Sequence, residues 1–584
     1  MSFEPALRQR VEAYLQDEPD PGDRQELEAL LAAGDAEALA ERFARPLTFG
    51  TAGLRGPLGA GPSCINRATV ARATAGLCRH VRESVTDAAA RGLAIGYDGR
   101  HRSAELAEEV AAVAAGAGLR VIRFVQPVPT PLLAYCVREH GAAAGVMVTA
   151  SHNPATDNGY KVYWEHGAQI TAPIDTAILA AMDAVDSVRA LPRLDAVARA
   201  EKGLEQIVGA ELERRYLALL QGLVGNGCQG APELTLAYTA LHGVGERLVL
   251  AALQAAGFGR VFSVPEEAHP NPEFPGMPFP NPEEAGVMDR VLALGETQAV
   301  DLVLASDPDA DRLAAAARGG AARLRMLDGN SIGALLADAL LESYEGPATP
   351  LIVATIVSTP LCARIAVEHG ARFEYTLTGF KWIEARAREL EQDGDHRLVF
   401  GFEEALGYGV PGVSDKDGIS AALLLACLAA REKAAGRGLL QRLEGLYLRH
   451  GLHKSRQLSL RLEASAAGRK KLEAMMQRLR AQPPERLSGL RVMALSDLKS
   501  GQQWGEPRLP LSLPPSDLLV FELEGEHRVC VRPSGTEAKL KCYLDVRLPL
   551  RERAELASVE GEAERLLDAL TSELRSLLGA DGVA

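Results

Sequence analysis

Short apolar runs alternate along the chain with longer stretches in which apolar residues recur at helical spacing. Six apolar runs end in a polar turn that leads towards a helical stretch, at residues 92–100, 119–125, 143–154, 300–312, 350–360 and 396–408. Continuous apolar runs between helices are typical of strands that are covered on both faces of a parallel sheet. The pattern therefore predicts α/β domains with mixed, largely parallel sheets.

The polar residues that follow these runs are unusual. In "VMVTASHNP" the apolar run is followed by Ser151 and His152, and in "VLASDPDADR" it is followed by three alternating aspartates. Ligands bind outside the carboxyl ends of the strands in such sheets. The sequence therefore predicts that the functional residues lie on these turns.

The same pattern divides the 584 residues into five segments. They are an N-terminal helical extension at 1–48, a first domain with the Ser151 turn at 49–210, a second with the aspartate loop at 211–325, a third with the paired glutamates of "GFEEALGY" at 326–455, and a final unit at 456–584. Residues 264–284 contain seven prolines, which exclude a regular element and predict a rigid loop or a crossing between lobes.

Composition narrows the class of protein. Hydrophobic residues make up 47% and charged residues 24% of the chain, which is ordinary for a globular enzyme and excludes general disorder. The net charge of −14 argues against nucleic acid or an anionic membrane as a partner, since both select basic surfaces. A small acidic substrate remains compatible with this net charge, because a few basic residues in one cleft can make the local electrostatic potential positive.

The eight cysteines contain no C-x-x-C pair, so we expect buried thiols in a reducing compartment and no disulfide framework. The N-terminus lacks the apolar core of a signal peptide. The longest apolar run, at 419–430, is too short to span a bilayer. These features predict a cytoplasmic protein.

Asp307, Asp309 and Asp311 alternate in "DPDADR". Three carboxylates at this spacing after a strand can converge on Mg²⁺, which prefers oxygen ligands. The EF-hand pattern does not fit, because Arg312 occupies its glycine position. The alternative is an aspartate-rich turn that only caps a helix or faces water.

Ser151 ends a strand-like run without the G-x-S-x-G of a hydrolase elbow. With His152 beside it, Lys161 ten residues on and a predicted metal loop, a serine nucleophile suits phosphoryl transfer better than acyl transfer. A helix-capping serine and a structural histidine are the alternatives.

Two further stretches offer groups for a phosphosugar. "RPSGTEAKLK" contains the basic residues and phosphate-binding turn Arg532, Ser534, Gly535, Thr536 and Lys541. "GFEEALGY" offers Glu403 and Glu404 either as a general acid and base or as hydrogen-bond acceptors for sugar hydroxyls. "DKDG" adds the ammonium of Lys416 for catalysis or substrate binding. A surface turn and a solvated charge pair are the corresponding alternatives.

Together these motifs resemble those of the α-D-phosphohexomutases, in family order and over residues 45–550. "TASHNP" with the downstream "NGYK" resembles the phosphoserine loop, "DPDADR" the metal loop, "GFEEALGY" the sugar loop and "RPSGTE" the phosphate loop. The N-terminal extension, "FGTAGLRG" and "TLTGFKWI" are most similar to the long phosphoglucomutases and phosphopentomutases.

The resemblance implies three related α/β domains and a smaller α+β domain around a central cleft. It also implies a reaction in which phospho-Ser151 converts glucose 1-phosphate to glucose 1,6-bisphosphate, which then returns its other phosphate to Ser151 and leaves as glucose 6-phosphate. Mg²⁺ is implied as the metal, bound by Ser151 and the three aspartates, and the bisphosphate as intermediate and activator.

The resemblance also assigns roles to single residues. It implies substrate or phosphate contacts for Thr51 and Arg55, stabilisation of the moving phosphoryl group by Lys161 and Arg312, and sugar recognition by Thr378 and Glu403. His152 and Lys416 are both candidates for moving the hydroxyl proton.

Ala405 departs from the serine that many relatives have in the sugar loop, which leaves pentose phosphates open as substrates. Within the same family, phosphomannomutase activity is a further alternative. A sugar-bisphosphate synthase, a metal-dependent phosphatase and a non-catalytic protein on the same scaffold are further alternatives. The last would be expected to have lost Ser151, an aspartate or Arg532, and all of them are present.

Overall fold

The computed structural model describes most of the chain and divides it into two compact units. The described residues are 5–50, 53–225, 228, 230–319, 323–462, 466–507, 513–534 and 539–579. Unit 1 comprises Met1–Leu327 and Gly407–Gly436, and unit 2 comprises Asp328–Leu406 and Arg437–Ala584. The five predicted segment boundaries stay predictions.

Unit 1 begins with the three helices α1 (Pro5–Asp17), α2 (Pro21–Ala33) and α3 (Ala36–Arg42). The helical spacing of their apolar residues predicted these elements, and that spacing buries Leu27 and Leu39 in a small core of their own. Aspartates cap two of the helices: Asp20 accepts hydrogen bonds at the start of α2, and Asp35 does so at the start of α3.

The first sheet of unit 1 has six strands in the order β1-β5-β4-β2-β3-β6. They are β1 (Leu54–Pro57), β2 (Leu93–Tyr97), β3 (Val121–Phe124), β4 (Ala144–Val148), β5 (Asp157–Trp164) and β6 (Glu205–Val208). Strands β4, β2, β3 and β6 are parallel, while β5 and β1 are antiparallel to their neighbours. Every residue of β2 and β4 is buried, which explains their continuous apolar sequences.

Seven helices accompany this sheet: α4 (Arg67–Ser84), α5 (Ala88–Arg91), α6 (Ser103–Gly116), α7 (Thr130–Glu139), α8 (Ile174–Asp183), α9 (Ala196–Glu201) and α10 (Ala210–Leu223). Side chains from α4 and α6 join β2 and β4 in one large apolar core. The carboxyl ends of β2 and β4 lie side by side, so the turns that follow them are neighbours.

The second sheet of unit 1 has the strand order β11-β10-β9-β7-β8. Its strands are β7 (Leu236–Thr239), β8 (Val261–Ser263), β9 (Leu302–Ser306), β10 (Leu313–Arg318) and β11 (Leu324–Leu327), with helices α11 (Glu246–Ala255) and α12 (Asp289–Thr297). β9 is parallel to β7 and antiparallel to β10, and the aspartate loop is the turn between β9 and β10. The proline-rich segment (residues 264–284) contains only one short 3₁₀ turn, as its sequence predicted.

Unit 2 begins with α13 (Gly329–Glu342) and three parallel strands in the order β13-β12-β14. The strands and their helices are β12 (Thr349–Thr355), α14 (Leu361–Glu368), β13 (Arg372–Thr376), α15 (Phe380–Glu391) and β14 (His396–Glu403). The chain then returns to unit 1 for β15 (Gly407–Gly409) and α16 (Gly418–Ala434). α16 contains the long apolar run and is buried along most of its length.

The rest of unit 2 forms an antiparallel sheet in the order β16-β22-β21-β20-β18-β17, with β19 paired to β18. Its elements are α17 (Leu439–His450), β16 (Leu452–Arg461), α18 (Ala466–Ala481), β17 (Arg486–Leu487), β18 (Leu490–Asp497), β19 (Gln502–Gly505), β20 (Leu519–Leu523), β21 (Arg528–Pro533), β22 (Lys539–Leu548) and α19 (Leu556–Leu577). The predicted fold class, three α/β domains with mixed sheets and a further α+β domain, is confirmed.

The cysteine prediction was wrong for one pair. Cys228 and Cys427 form a disulfide, with their Cα atoms 5.0 Å apart and 199 residues between them in sequence. The other six cysteines are buried thiols, as expected. A pair so distant along the chain leaves no spacing pattern, so only the fold brings it together. None of the described helices combines the length and the apolar character that a membrane crossing requires.

Candidate active site

Ser151 lies on the loop that follows β4, which we call the Ser151 loop (residues 149–157). Its backbone has a φ of +54°, a left-handed conformation that non-glycine residues seldom adopt and that is often found at functional sites. Its side chain is buried, and Oγ donates a hydrogen bond of 2.9 Å to Oδ2 of Asp307. Nδ1 of His152 lies 3.1 Å from the same Oγ. The strand thus ends by presenting a hydroxyl to the aspartate loop.

The aspartate loop brings its three carboxylates together. Ligand oxygens of Asp307, Asp309 and Asp311 all lie within 4.8 Å of one another, and all three side chains are buried. Ala310 has a φ of +55°, which turns the chain between the second and third aspartate. Because β9 and β10 pair directly on either side, the hairpin fixes this arrangement.

Two lysines supply positive charge to these carboxylates. Nζ of Lys161 lies 2.7 Å from Oδ2 of Asp309 and 3.0 Å from Oδ2 of Asp311. Lys161 is on β5, where pairing with Met147 of β4 keeps it beside the Ser151 loop. Nζ of Lys416 lies 3.3 Å from Oδ2 of Asp311. Burial disfavours the charged form of Lys161, but the two aspartates prevail and raise its pKa above the usual value.

The carboxylates fit a divalent cation. Burial, together with the charges of Asp309 and Asp311, raises the pKa of Asp307 well above its usual value, which marks a local excess of negative charge. Burial also acts to raise the pKa of Asp309, but the ammonium of Lys161 outweighs it and the pKa is lowered. Within the described residues, Oδ1 of Asp309 and Oδ1 of Asp311 are buried without a hydrogen-bond partner. Oxygens of this kind suit Mg²⁺.

Arg312, Arg55 and His152 surround the same place. Nε of Arg312 lies 3.8 Å from Oδ2 of Asp307, and Arg55 donates to Oδ1 of Asn153 at 3.3 Å. Burial, followed by the charges of Arg312 and Arg55, lowers the pKa of His152 well below its usual value. The imidazole is therefore neutral near pH 7 and able to exchange a proton through Nδ1.

Sequence reasoning missed the residue that organises the Ser151 loop. Arg100 lies in the turn after β2, which we call the β2 turn (residues 98–101), and its side chain is buried. Its guanidinium donates to four backbone oxygens of the loop, those of Ser151 (2.6 Å), Asn153 (2.6 Å), Pro154 (2.7 Å) and Asp157 (3.1 Å). Its position after a predicted strand was the available clue.

Asp98 and Thr149 complete this frame. Thr149 donates from its hydroxyl to Oδ2 of Asp98 at 2.6 Å and accepts from the backbone N–H of Ser151 at 2.9 Å. Two other missed residues position the charged groups: Thr130 donates to Asp309 at 2.7 Å, and Asp415 accepts from Tyr163 at 2.7 Å directly beside Lys416.

The remaining candidate residues that the structure describes lie in unit 2. Glu403 is buried and its Oε1 accepts from the backbone N–H of Gly379, the residue after Thr378, at 3.1 Å. Burial, and then the charge of Glu403, raises the pKa of Glu404 to about 7. Oε2 of Glu404 accepts from the hydroxyl of Thr355 at 3.0 Å, so this carboxylate is engaged within the protein.

Arg532 and Lys541 face one another across the β21–β22 pair, so two basic side chains stand on adjacent strands. Ser534 follows β21, and its N–H donates to the carbonyl of Lys539 at 2.8 Å. Thr51, Gly535 and Thr536 lie outside the described residues, so their predicted contacts stay predictions.

The groups that unit 1 brings together are a hydroxyl, three carboxylates, two ammonium groups, two guanidinium groups and a neutral imidazole. An acyl-transfer site would need an oxyanion hole and a base held by a carboxylate. Carboxylates that can hold a metal beside a serine, with cations around them, instead suit the transfer of a phosphoryl group.

Comparison with known families covers most of the chain. Residues 46–189, 214–320 and 328–447 match, in order, the α/β/α domains I, II and III of the phosphoglucomutase/phosphomannomutase family. The solved structure of parafusin, a phosphoglucomutase from Paramecium in its open form, has a TM-score of 0.66 at 17% identity and covers 91% of this chain and 95% of its own. This likeness concerns the fold.

Curated relatives share about a third of their residues with this chain. A phosphopentomutase from Mus musculus is 32% identical over 99% of this chain and 94% of its own length. A glucose 1,6-bisphosphate synthase from Homo sapiens is 32% identical over 97% and 94%. A "probable phosphomannomutase" from Haemophilus influenzae is 36% identical over 83% and 93%. The three names differ in the sugar, so the resemblance establishes the family and leaves the substrate to be argued.

Proposed function

We propose that this chain interconverts glucose 1-phosphate and glucose 6-phosphate through phospho-Ser151. The chain belongs to the phosphoglucomutase/phosphomannomutase family of the α-D-phosphohexomutases. The observation that carries the proposal is the hydrogen bond of 2.9 Å from Ser151 to Asp307, which joins the nucleophile to the aspartate loop. The enzyme is thus a phosphosugar mutase of the isomerase class.

In the proposed reaction, a sugar hydroxyl attacks the phosphorus of phospho-Ser151 opposite Oγ. The bond from phosphorus to Oγ breaks, and the proton of the hydroxyl ends on Oγ, so that atoms and charge balance. The bisphosphate then reverses its orientation, and the reverse step returns its other phosphoryl group to Ser151. Oγ of Ser151 attacks the phosphorus, the bond from phosphorus to the sugar oxygen breaks, and the proton of the Ser151 hydroxyl ends on the released sugar oxygen. Lys161 and Arg312 provide positive charge where the moving phosphoryl group carries negative charge.

His152 and Lys416 are the two proposed proton carriers. Nδ1 of His152 lies 3.1 Å from Oγ of Ser151, and its lowered pKa keeps the ring neutral. Lys416 lies in the turn before α16, and its Nζ is 3.3 Å from Oδ2 of Asp311, the third aspartate of the loop. His152 therefore suits the exchange with Ser151 itself, while Lys416 suits the incoming sugar hydroxyl.

Ser151 and the three aspartates are the residues that would hold Mg²⁺, and the ion would offset negative charge on the phosphoryl oxygens. The burial of these carboxylates and the two carboxylate oxygens without hydrogen bonds support this assignment. For the sugar we assign Thr51, Arg55, Thr378 and Glu403, and for its non-reacting phosphate Arg532, Ser534, Gly535, Thr536 and Lys541.

A phosphopentomutase is the second candidate. Ala405 removes a hydroxyl from the proposed sugar loop, and the relative from Mus musculus that covers 99% of this chain is named for pentoses. The deciding experiment compares kcat/KM for glucose 1-phosphate, mannose 1-phosphate and ribose 1-phosphate, with Mg²⁺ and bisphosphate supplied. A preference for glucose supports the main proposal, and a preference for ribose makes the chain a phosphopentomutase.

The mechanism is tested by Ser151→Ala, with Ser84→Ala at the exposed end of α4 as the matched control. We expect the first variant to lose nearly all mutase activity and the phosphoserine detected by mass spectrometry, while the second keeps both. Full activity of Ser151→Ala would contradict the proposed nucleophile. Bisphosphate formed from a separate phosphoryl donor would instead identify a synthase, and phosphate released as fast as sugar is turned over would identify a phosphatase.

A further inference from the structure

The proline-rich segment has no part in the proposed reaction, yet it covers the turn that holds the Ser151 loop. Three consecutive residues of the β2 turn each touch it. Gly99 faces Pro270 so closely that a Cβ at this position would lie only 2.6 Å from Cβ of the proline. Arg100 lies under the ring of Phe274, with its Cζ 4.9 Å from the ring centroid. Nε2 of His101 lies 2.7 Å from Oε1 of Glu273.

Arg100 makes the central contact of these three. Its guanidinium already donates to four carbonyl groups of the Ser151 loop, including that of Ser151 itself. An aromatic face over a guanidinium attracts the cation and keeps water away from it. Without the ring, water would compete for the same donors, and the four bonds would hold the loop less firmly.

Phe274 is held in place more tightly than packing alone requires. It is 2% exposed, and its φ of +43° is rare for a bulky residue and costs free energy. It forms a buried apolar cluster with Leu241, Met277 and Val287, and Ala155 of the Ser151 loop packs against this cluster. The cluster that contains Phe274 therefore reaches the loop through Ala155, in addition to the contact of Phe274 with Arg100.

We propose that Phe274 is a positioning residue for phosphoryl transfer, which acts by holding Arg100 and thereby the backbone of Ser151. The inference rests on the proposed function, because positioning matters only if Ser151 transfers a phosphoryl group. It assigns a role to the proline-rich segment: through Phe274 and Arg100 the segment holds the Ser151 backbone in place, and this fixes the direction of the P–O bond that breaks.

The proposal predicts a particular kinetic pattern. A displacement of about 1 Å at the reacting atoms can cost about 100-fold in rate, so Phe274→Ala is expected to lower kcat about 10- to 100-fold. KM is expected to stay within about twofold, since the proposed sugar and phosphate contacts are made by other residues. Hydrolysis of phospho-Ser151 by water needs less orientation, so the ratio of transfer to hydrolysis should fall about tenfold or more.

The experiment uses the full-length protein with two variants and one control. Phe274→Leu keeps most of the apolar volume but removes the ring face, so it should retain the thermal stability of the wild type and still show the lower transfer ratio. Phe279→Ala is the control, because Phe279 lies in the same segment and is 42% exposed. Hydrogen exchange of the 149–157 backbone is measured in each protein, since this reports loop mobility independently of activity.

Faster exchange in the Ser151 loop and a lower transfer ratio in both Phe274 variants, with neither change in Phe279→Ala, would support the proposal. A transfer ratio equal to that of the wild type, whatever the change in stability, would overturn it and leave Phe274 as a core residue. A wild type that neither forms phosphoserine nor converts any of the three sugar phosphates would overturn the proposed function, and the inference with it.

Discussion

At Lys161 one buried ammonium group compensates two buried carboxylates, those of Asp309 and Asp311. Removing one partner of such a pair leaves an uncompensated charge in the interior, which costs about 3–5 kcal/mol. We therefore expect Lys161→Met to lower the free energy of unfolding by about that amount, measured by urea denaturation without Mg²⁺. The control is Lys202→Met, because Lys202 is exposed. Equal effects of the two substitutions would contradict the compensating role.

Glu18 is a residue whose burial makes stability depend on pH. The residue is buried between α1 and α2, and burial is the main cause that raises the pKa of its carboxyl to about 7. Because the pKa of this carboxyl is higher in the folded than in the unfolded protein, proton binding to Glu18 stabilises the fold. This stabilisation is fully present below about pH 4.5 and is lost as the pH rises through about 7.

We therefore expect Glu18→Gln to be more stable than the wild type at about pH 8, by about 3 kcal/mol, and to lose the advantage near pH 4.5. The amide keeps the oxygen that accepts from the N–H of Asp20. The measurement is the unfolding midpoint against pH, with Glu12→Gln as the exposed control. A pH-independent difference between Glu18→Gln and wild type would refute this assignment.

At the scale of elements, strands could be predicted from sequence where both faces are buried. The run around β4 is apolar throughout because every residue of the strand is buried, and the same holds for β9. Ser151 and the aspartates could be singled out because each directly follows such a strand. The place of the proposed nucleophile was thus available from the alternation of strand and turn.

The partners of those residues could not be predicted, because their roles arise from distant parts of the chain. "YDGR" is an ordinary turn in sequence, and Arg100 matters only because folding places four carbonyl groups more than fifty residues away around its guanidinium. Asp415 likewise gains its role from Tyr163, which is 252 residues distant. The Cys228–Cys427 pair was missed for the same reason.

That disulfide gives an element-scale prediction for α16. It joins the stretch after α10 to the middle of α16, and nearby Nζ of Lys433 on α16 also lies 2.8 Å from Oδ2 of Asp301. Cross-linking residues that are 199 apart restricts the unfolded chain, so reduction should lower stability by about 2–5 kcal/mol.

We expect six free thiols in denaturant without reductant and eight after reduction. The unfolding midpoint should fall on reduction in the wild type but not in a variant with Cys228→Ala and Cys427→Ala. Eight thiols without reductant would show that the pair is not oxidised.

For the whole molecule, the two compact units offer different chemistry. Unit 1 holds the serine, the aspartate loop and both lysines, and therefore all groups proposed to act on the moving phosphoryl group. Unit 2 holds Glu403 and the facing basic pair Arg532 and Lys541, which suit a phosphosugar as a ligand. The proposed mutase thus assigns bond breaking to unit 1 and phosphate recognition to unit 2.

This division predicts that the two tasks can be separated by substitution. Arg532→Ala removes a guanidinium that can bind two phosphate oxygens at once, an interaction worth about 1.5–3 kcal/mol, so KM for glucose 1-phosphate should rise about 10- to 100-fold. Ser151 should still carry phosphate after exposure to bisphosphate, and phospho-Ser151 should be hydrolysed by water at the wild-type rate, because the groups around it are unchanged.

The control is Arg551→Ala, at an exposed residue near β22. Unchanged KM in Arg532→Ala would remove this residue from phosphate recognition. A simultaneous change in the hydrolysis of phospho-Ser151 would instead show that the residue also acts on the reacting group, and that the two tasks are not divided between the units.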